Sequence, residues 1–305
     1  MPQADTMTGV LAPVVTPFTA DLAVDSERLV RHCRWLAAQG CGLAVFGTNS
    51  EANSLTIEER EAVLDRLVEA GLNSRIMMPG TGCCALPDTV RLIRHAVAKG
   101  VGGVLVLPPF YYKNVSDEGL YRSYSEVIER VGDARLRLYL YHFPQMSAVP
   151  LSLDLIGRLL RAYPGTVVGI KDSSGDRANL EAILAAFPGF GVFSGTESLL
   201  LATMRAGGAG CISATANVNP APIRELFLHW RSPGAETMQA DLAELRGIVQ
   251  KYPMIAAMKA MIAHYAGDDG WNRVRPPLVE LPAADADALL AELARHNFEM
   301  PGIGG

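Results

Sequence analysis

A lysine closes the apolar run Val167-Val168-Gly169-Ile170-Lys171-Asp172-Ser173-Ser174, where a charged side chain is out of place. The chain has five lysines against 22 arginines. Lys99 ends a helix-like run just before Gly100, Lys113 sits in a polar loop, and Lys251 and Lys259 fall in the helical C-terminal region. Lys171 alone reads as the end of a buried strand. An amine there either joins a buried ion pair or attacks carbonyls. Attack needs the neutral form, and a free lysine with a pKa of ~10.4 is almost wholly charged at pH 7. Lowering that pKa by ~3 units costs about 4 kcal/mol of differential solvation, which a dry site supplies by burial. The resulting imine draws electrons from the adjacent carbon and opens carbon–carbon cleavage or formation. Such chemistry needs a proton shuttle, and Tyr141 in the preceding strand-like run is the candidate; the plainer alternative is a ring that only fills space.

Other residues could hold a substrate. Gly47 permits close approach of backbone N–H groups to an anion, and Thr48 adds a hydroxyl, a combination that suits a carboxylate. The structural alternative is an ST-turn entering the next helix. Asn49 extends that candidate loop, and Ser173, Gly195, Glu197 and Ser213 follow later strand-like runs as candidate substrate contacts. Tyr111 and Tyr112 follow Pro108-Pro109 in a loop, where exposed aromatics often make oligomer contacts. Gly80-x-Gly82-x-x-Ala85 mimics a dinucleotide fingerprint, but no acidic residue ends the next strand to hold a ribose.

The elements that must position these groups alternate along the chain. Strand-like runs cover 9–18, 42–48, 75–81, 103–108, 137–143, 167–171, 190–195 and 210–214. Helical periodicity fills 26–38, 57–70, 88–98, 118–131, 153–162, 179–187, 198–205 and 223–230. Thr56-x-x-Glu59 is a capping box, and Asp25 and Ser152 are N-cap candidates. Eight strands alternating with eight helices predict an α/β (β/α)8 TIM barrel over 1–234. Helices at 235–252, 254–265 and 284–296 predict an appended C-terminal helical bundle over 235–305. In such a barrel the chemistry gathers at the C-terminal strand ends. Consecutive strands lie ~4.8 Å apart, so Tyr141 and Lys171 can meet at one rim. Alternation places Tyr139 with Tyr141, and Val167 and Gly169 with Lys171, provided no bulge intervenes. Gly169 then leaves room below the lysine for a bulky side chain or ligand.

The bulk properties set bounds. At 305 residues the chain fits one large α/β domain or two small ones. A net charge of −5 offers no footprint for nucleic acid. No apolar run approaches the ~18 residues of a membrane helix, and Met1-Pro2-Gln3-Ala4-Asp5 does not open a signal peptide; a cytoplasmic location is expected. The odd set Cys33, Cys41, Cys83, Cys84 and Cys211 argues against a disulfide framework and for buried small hydrophobes. The six histidines show no metal-ligand spacing.

Taken together, these residues resemble the dihydrodipicolinate synthase / N-acetylneuraminate lyase family of class I, Schiff-base-forming pyruvate aldolases. The resemblance runs from Gly9-Val10, Pro13 and Thr16-Pro17-Phe18 to the C-terminal helices. Gly47-Thr48-Asn49-Ser50-Glu51 is similar to the family's G-[ST]-[TN]-G-E carboxylate loop. Tyr141-His142-Phe143-Pro144 resembles Y-N-x-P, whose tyrosine shuttles protons. Gly169-Ile170-Lys171-Asp172-Ser173-Ser174-Gly175 resembles G-x-K-[DE]-x-[ST]-G, whose lysine forms the Schiff base with pyruvate. Pro109-Phe110-Tyr111-Tyr112 resembles P-[YF]-Y-Y. The resemblance implies a relay of Thr48, Tyr141 and a neighbouring subunit's Tyr112, in a homotetramer of paired dimers. It implies a lyase acting on pyruvate, or a 2-keto-3-deoxy sugar acid, with an aldehyde partner and no cofactor or metal.

The chain also departs from that pattern. Met146 stands where synthase members carry a carboxylate-holding arginine, and a thioether cannot replace a bidentate charged bond. Glu197-Ser198 replaces the Asp-Glu with which the lyase branch grips a sialic acid tail. Asn49 and Ser50 replace the commoner Thr and Gly. A Schiff-base dehydratase, a genuine dihydrodipicolinate synthase, an NAD-dependent oxidoreductase and a non-enzymatic scaffold are the alternative readings.

Overall fold

The computed structural model describes residues 6–304; Met1-Pro2-Gln3-Ala4-Asp5, read above for a signal peptide, and Gly305 lie outside them. Among the described residues seven strands form one parallel sheet: β1 (Gly9–Ala12), β2 (Gly42–Leu43), β3 (Val104–Val106), β4 (Leu138–His142), β5 (Val167–Asp172), β6 (Gly191–Ser194) and β7 (Gly210–Ile212). Their order is β2-β1-β7-β6-β5-β4-β3. Between β2 and β3 the predicted strand at 75–81 is only partly realised. Ser74–Ile76 is a 3-10 turn, and Pro79 has no N–H to give a ladder. The extended stretch after it still closes the ring. Met78 N donates to Leu43 O at 2.8 Å, Gly80 N to Val45 O at 2.7 Å, and Thr81 N to Leu105 O at 2.9 Å. All eight predicted runs therefore contribute to a TIM barrel. Prolines also bound two of the others: Pro13 follows the last residue of β1, and Pro108-Pro109 follow Leu107 beyond β3.

Helices alternate with the strands because each presents one apolar stripe to the sheet. Ser26–Ala38 buries Leu29, Val30, Cys33 and Leu36 and is capped by Asp25, which accepts from Arg28 N at 3.0 Å. Thr56 and Glu59 form the expected capping box at the head of Ile57–Glu69, and Ser152 caps Leu153–Ala162. The short helix Pro144–Ser147 after β4 was not anticipated. Three further helices, Ala235–Val249, Met254–Ala266 and Ala283–Arg295, follow the barrel. Among the described residues no helix is long and apolar enough to cross a membrane.

Two apolar clusters result. The larger lies between sheet and helices. The smaller fills the barrel with Leu11, Met78, Leu105, Tyr139, Phe193 and Ile212 among others. The register between β4 and β5 shifts once: Leu138 pairs with Val167 but Tyr139 with Gly169. Val168 is thus an extra residue, and the proviso about a bulge matters. Above the shift, Gly169 and Lys171 face inward as expected. Val167 does not; it packs in the outer cluster while Val168 joins the inner one. The room at Gly169 is taken by Tyr139, since a Cβ there would lie 2.4 Å from that ring. The same ring abuts Gly103 from the other side, and its hydroxyl accepts from Met7 N at 2.7 Å.

Candidate active site

Above that filled floor, Tyr141 and Lys171 are register partners on β4 and β5. Both are buried, at 4% and 3% exposure. Lys171 Nζ donates toward the Tyr141 hydroxyl at 3.4 Å and sits 4.5 Å from the centroid of its ring. The same hydroxyl meets Thr48 Oγ1 at 3.3 Å from the loop after β2. Phe143 stacks beside Tyr141, with ring centroids 5.8 Å apart. The mouth therefore holds a row of amine, phenol and aliphatic hydroxyl with an apolar ring along one wall. Such a row can present a nucleophilic nitrogen and carry a proton away from it.

The neighbouring acid does not neutralise the amine. Asp172 accepts from Ser174 N and Asn179 Nδ2, both at 2.9 Å. Its register partner His142 accepts from Leu151 N through Nδ1 at 3.1 Å, so its neutral ring carries the proton on Nε2. Burial holds the His142 pKa below its usual value, with Asp172 opposing. The two deeply buried ion pairs among the described residues are Lys259–Glu51 and Arg246–Glu197, and neither includes Lys171.

The Thr48 loop is a strained turn. Phe46 and Glu51, on either side of it, adopt left-handed backbones with φ of 61° and 55°. Each costs roughly 1–2 kcal/mol for a residue with a Cβ. Internal bonds shape the turn: Gly47 N donates to Ser50 Oγ at 3.2 Å, and Thr16 Oγ1 donates to Ser50 O at 2.7 Å. Asn49 is half-buried in the same turn. The turn is also anchored from outside, by a hydrogen-bonded ion pair between Glu51 and Lys259. Both side chains are fully buried. Burial pulls the Lys259 pKa down, while Glu51 opposes it. Lys259, which the sequence places only in the helical C-terminal region, is thus a buried structural cation. A charge inside the apolar helix segment Met-Ile-Ala-Ala-Met-Lys-Ala-Met-Ile-Ala was the available signal.

Glu197 and Ser213 face each other. Glu197 is 1% exposed, and its carboxylate accepts from the hydroxyls of Ser213 and Thr215 and from Arg246 Nη1 at 2.8 Å. The expectation that Glu197 faces a substrate thus meets a carboxylate already occupied by internal donors. Arg246, on the helix Ala235–Val249, was not singled out from the sequence. Ser173 and Gly195 pack directly together; a Cβ on Gly195 would lie 2.2 Å from Ser173 Oγ. Tyr111 and Tyr112 are 74% and 75% exposed and make an edge contact with each other, 5.3 Å between centroids. Within this chain the structure does not bring Tyr112 to Lys171.

Close packing also accounts for the dinucleotide-like motif. The glycines of the dinucleotide-like motif serve strand contact, since a Cβ on Gly80 would lie 2.1 Å from Phe46 O and one on Gly82 would lie 2.5 Å from Leu107 N. Close neighbouring backbone, not space for a pyrophosphate, explains both. Cys33, Cys41 and Cys211 are buried as expected, but Cys83 is half-buried and Cys84 exposed. Burial pushes the Cys41 thiol up to about 12. Among the described residues no group of three His, Cys, Asp or Glu side chains converges as a metal site.

Fold and mouth together define an enzyme of the class I lyase type. Comparison with known proteins agrees. A model of the dihydrodipicolinate synthetase family matches residues 6–295. An uncharacterized DapA-like lyase of Chloroflexus aurantiacus is 32% identical over 94% of this chain and 96% of its own length. The crystal structure of dihydrodipicolinate synthase from Agrobacterium tumefaciens superposes with a TM-score of 0.88 at 31% identity, covering 94% of this chain and 99% of that one. YagE from E. coli K12, a member of that family solved in complex with pyruvate, gives a TM-score of 0.87 at 27% identity, covering 95% and 99%. The chain belongs to the dihydrodipicolinate synthetase family.

Proposed function

We propose that the protein is a class I aldolase in which Lys171 forms a Schiff base with pyruvate or a 2-keto-3-deoxy sugar acid. The observation that carries this is a buried amine 3.4 Å from a phenol and outside the buried ion pairs. The neutral nitrogen adds to the keto carbon, and the carbonyl oxygen departs as water, leaving an imine whose nitrogen takes up a proton. In the cleavage direction Tyr141 takes the proton of the hydroxyl on C4. The C3–C4 bond breaks, an aldehyde leaves, and the bonding electrons pass into the imine as an enamine. Protonation at C3 and hydrolysis by water return pyruvate and the free amine. Thr48 passes protons onward from Tyr141, while Thr48 and Asn49 receive the keto-acid carboxylate on the turn that Gly47 opens. Ser173 and Gly195 line the rim, and Ser213 and Glu197 shape it through their mutual bond.

The exposed Tyr111–Tyr112 pair supports a homo-oligomer, a tetramer of paired dimers in which Tyr112 serves a neighbouring mouth. A cytoplasmic enzyme with a small-molecule keto acid and aldehyde as partners fits these features. A dehydratase acting on a keto-deoxy sugar acid would use the same imine, and product analysis separates an aldehyde from a dehydrated keto acid. The central test is borohydride reduction in the presence of pyruvate, followed by peptide mapping. A stable mass increment on the peptide carrying Lys171 is expected. Its absence, or a map to another lysine, overturns the reading.

A further inference from the structure

The anchor of the Thr48 loop has no part in the chemistry proposed above, yet it is built with unusual completeness. Glu51 follows Thr48 by three positions. One of its oxygens accepts from Lys259 Nζ and the other from Arg275 N at 3.0 Å. Lys259 also donates to Arg273 O at 2.7 Å, and its nitrogen lies 4.6 Å from the Phe18 ring centroid. Arg275 holds the far end of the same loop, with Nη1 donating to Ser54 O at 2.7 Å. Both carboxylate oxygens are thus committed to donors from the C-terminal part of the chain. The residue that carries them sits in a left-handed backbone that a side chain ordinarily avoids. Such a conformation persists only where surrounding contacts enforce it.

We infer that Lys259 and Glu51 are positioning residues for proton transfer. Their ion pair holds the turn 47–51 in the shape that sets Thr48 Oγ1 3.3 Å from the Tyr141 hydroxyl. The helix Met254–Ala266 thereby reaches the barrel mouth without touching substrate. This rests on the aldolase reading and deepens it. Release of the clamp relaxes Glu51 toward an ordinary backbone and carries Thr48 away from the phenol. It leaves Lys171, which stands on the opposite part of the ring in β5, in place.

The test separates amine chemistry from proton chemistry on one ligand, pyruvate. Borohydride trapping at Lys171 reads the first. Exchange of the pyruvate methyl protons into D2O, followed by NMR, reads the second. Glu51→Gln is the mild variant, since an amide presents an N–H where a donor already stands, and Lys259→Met is the severe one. At saturating pyruvate trapping is expected to reach the unmodified extent in both, at a higher pyruvate concentration where the turn has moved, while the exchange rate of the saturated enzyme falls about 10- to 100-fold, the scale of a small misplacement of a catalytic group. Thr48→Val removes the hydroxyl itself and should slow exchange at saturating pyruvate at least as much, and Thr48→Val combined with Glu51→Gln should slow it no further than Thr48→Val alone. Unchanged exchange at saturating pyruvate in folded Glu51→Gln overturns the inference, as does an equal loss of trapping and exchange under that condition. If Lys259→Met fails to fold, Glu51→Gln decides alone. No trapping in the unmodified protein instead overturns the aldolase reading, and this inference with it.

Discussion

Lys171 and Tyr141 are cross-strand partners whose reactive atoms stand 3.4 Å apart at the open end of the barrel, and that single spacing sets the strongest expectation. Replacing Tyr141 with phenylalanine keeps the ring and its stacking on Phe143 but removes the hydroxyl shared with Thr48. We expect kcat/KM for aldol cleavage to fall by ~10²–10⁴, the usual worth of a positioned acid–base group. The melting temperature should change little. Steady-state kinetics beside a thermal melt check this, and an active Tyr141→Phe enzyme would remove the phenol from the mechanism.

Met146 is 60% exposed on the short helix Pro144–Ser147 that follows Phe143. If this helix faces the second substrate, Met146→Arg adds a fork of donors for a carboxylate there. A charged hydrogen bond is worth ~1.5–3 kcal/mol. The preference for an aldehyde bearing a second carboxylate over its uncharged analogue should therefore rise at least about tenfold. The ratio of the two kcat/KM values measures it. An unmoved ratio would place the second substrate elsewhere.

Arg246 and Glu197 form the other buried pair, with Ser213 and Thr215 completing the acceptor's bonds. Arg246→Met leaves a buried carboxylate without its cation, and removal of one partner from such a pair typically costs ~3–5 kcal/mol. Arg246→Met combined with Glu197→Gln should recover part of that loss, because no charge is then stranded. Denaturant melts of the three proteins give the comparison.

A pH effect on stability follows from His32. The ring is wholly enclosed, its Nε2 meets Asn217 Oδ1 at 3.3 Å, and its Nδ1 has no hydrogen-bond partner among the described residues. Burial holds its pKa down to about 4. The unfolded value is ~6.5, so the unfolded chain takes up this proton first as pH falls. The contribution is complete above pH ~6.5 and disappears progressively toward pH ~4, amounting to ~3 kcal/mol. His32→Gln should flatten the fall in melting temperature across that window. Parallel pH profiles for both proteins would refute the assignment.

Much of this architecture was legible in the residues. The alternation of runs placed all eight strand segments, and the capping signals at Asp25, Thr56 and Ser152 marked helix starts that the structure retains. Lys171 announced itself by being charged within an apolar run. What sequence pattern concealed was pairing across distance. Glu51 and Lys259 are 208 positions apart, and Glu197 and Arg246 are 49 apart. Periodicity reports which face an element buries, not which distant group it meets there. Val167 was assigned to the wrong side for a related reason: one inserted residue in β5 inverts alternation, and nothing local to Val167-Val168 signals it.

Tyr139 has a consequence for traffic. Wedged against Gly103 and Gly169 and tethered to Met7, its ring corks the barrel from beneath. On the aldolase reading the reaction chamber is therefore closed at its base by this ring and is reached from the mouth. On that reading, a keto acid bonded to Lys171 arrives ahead of its aldehyde partner and departs after it. Successive visitors form a queue, so an aldehyde that lingers in the doorway will block turnover at high concentration while never reaching the nitrogen.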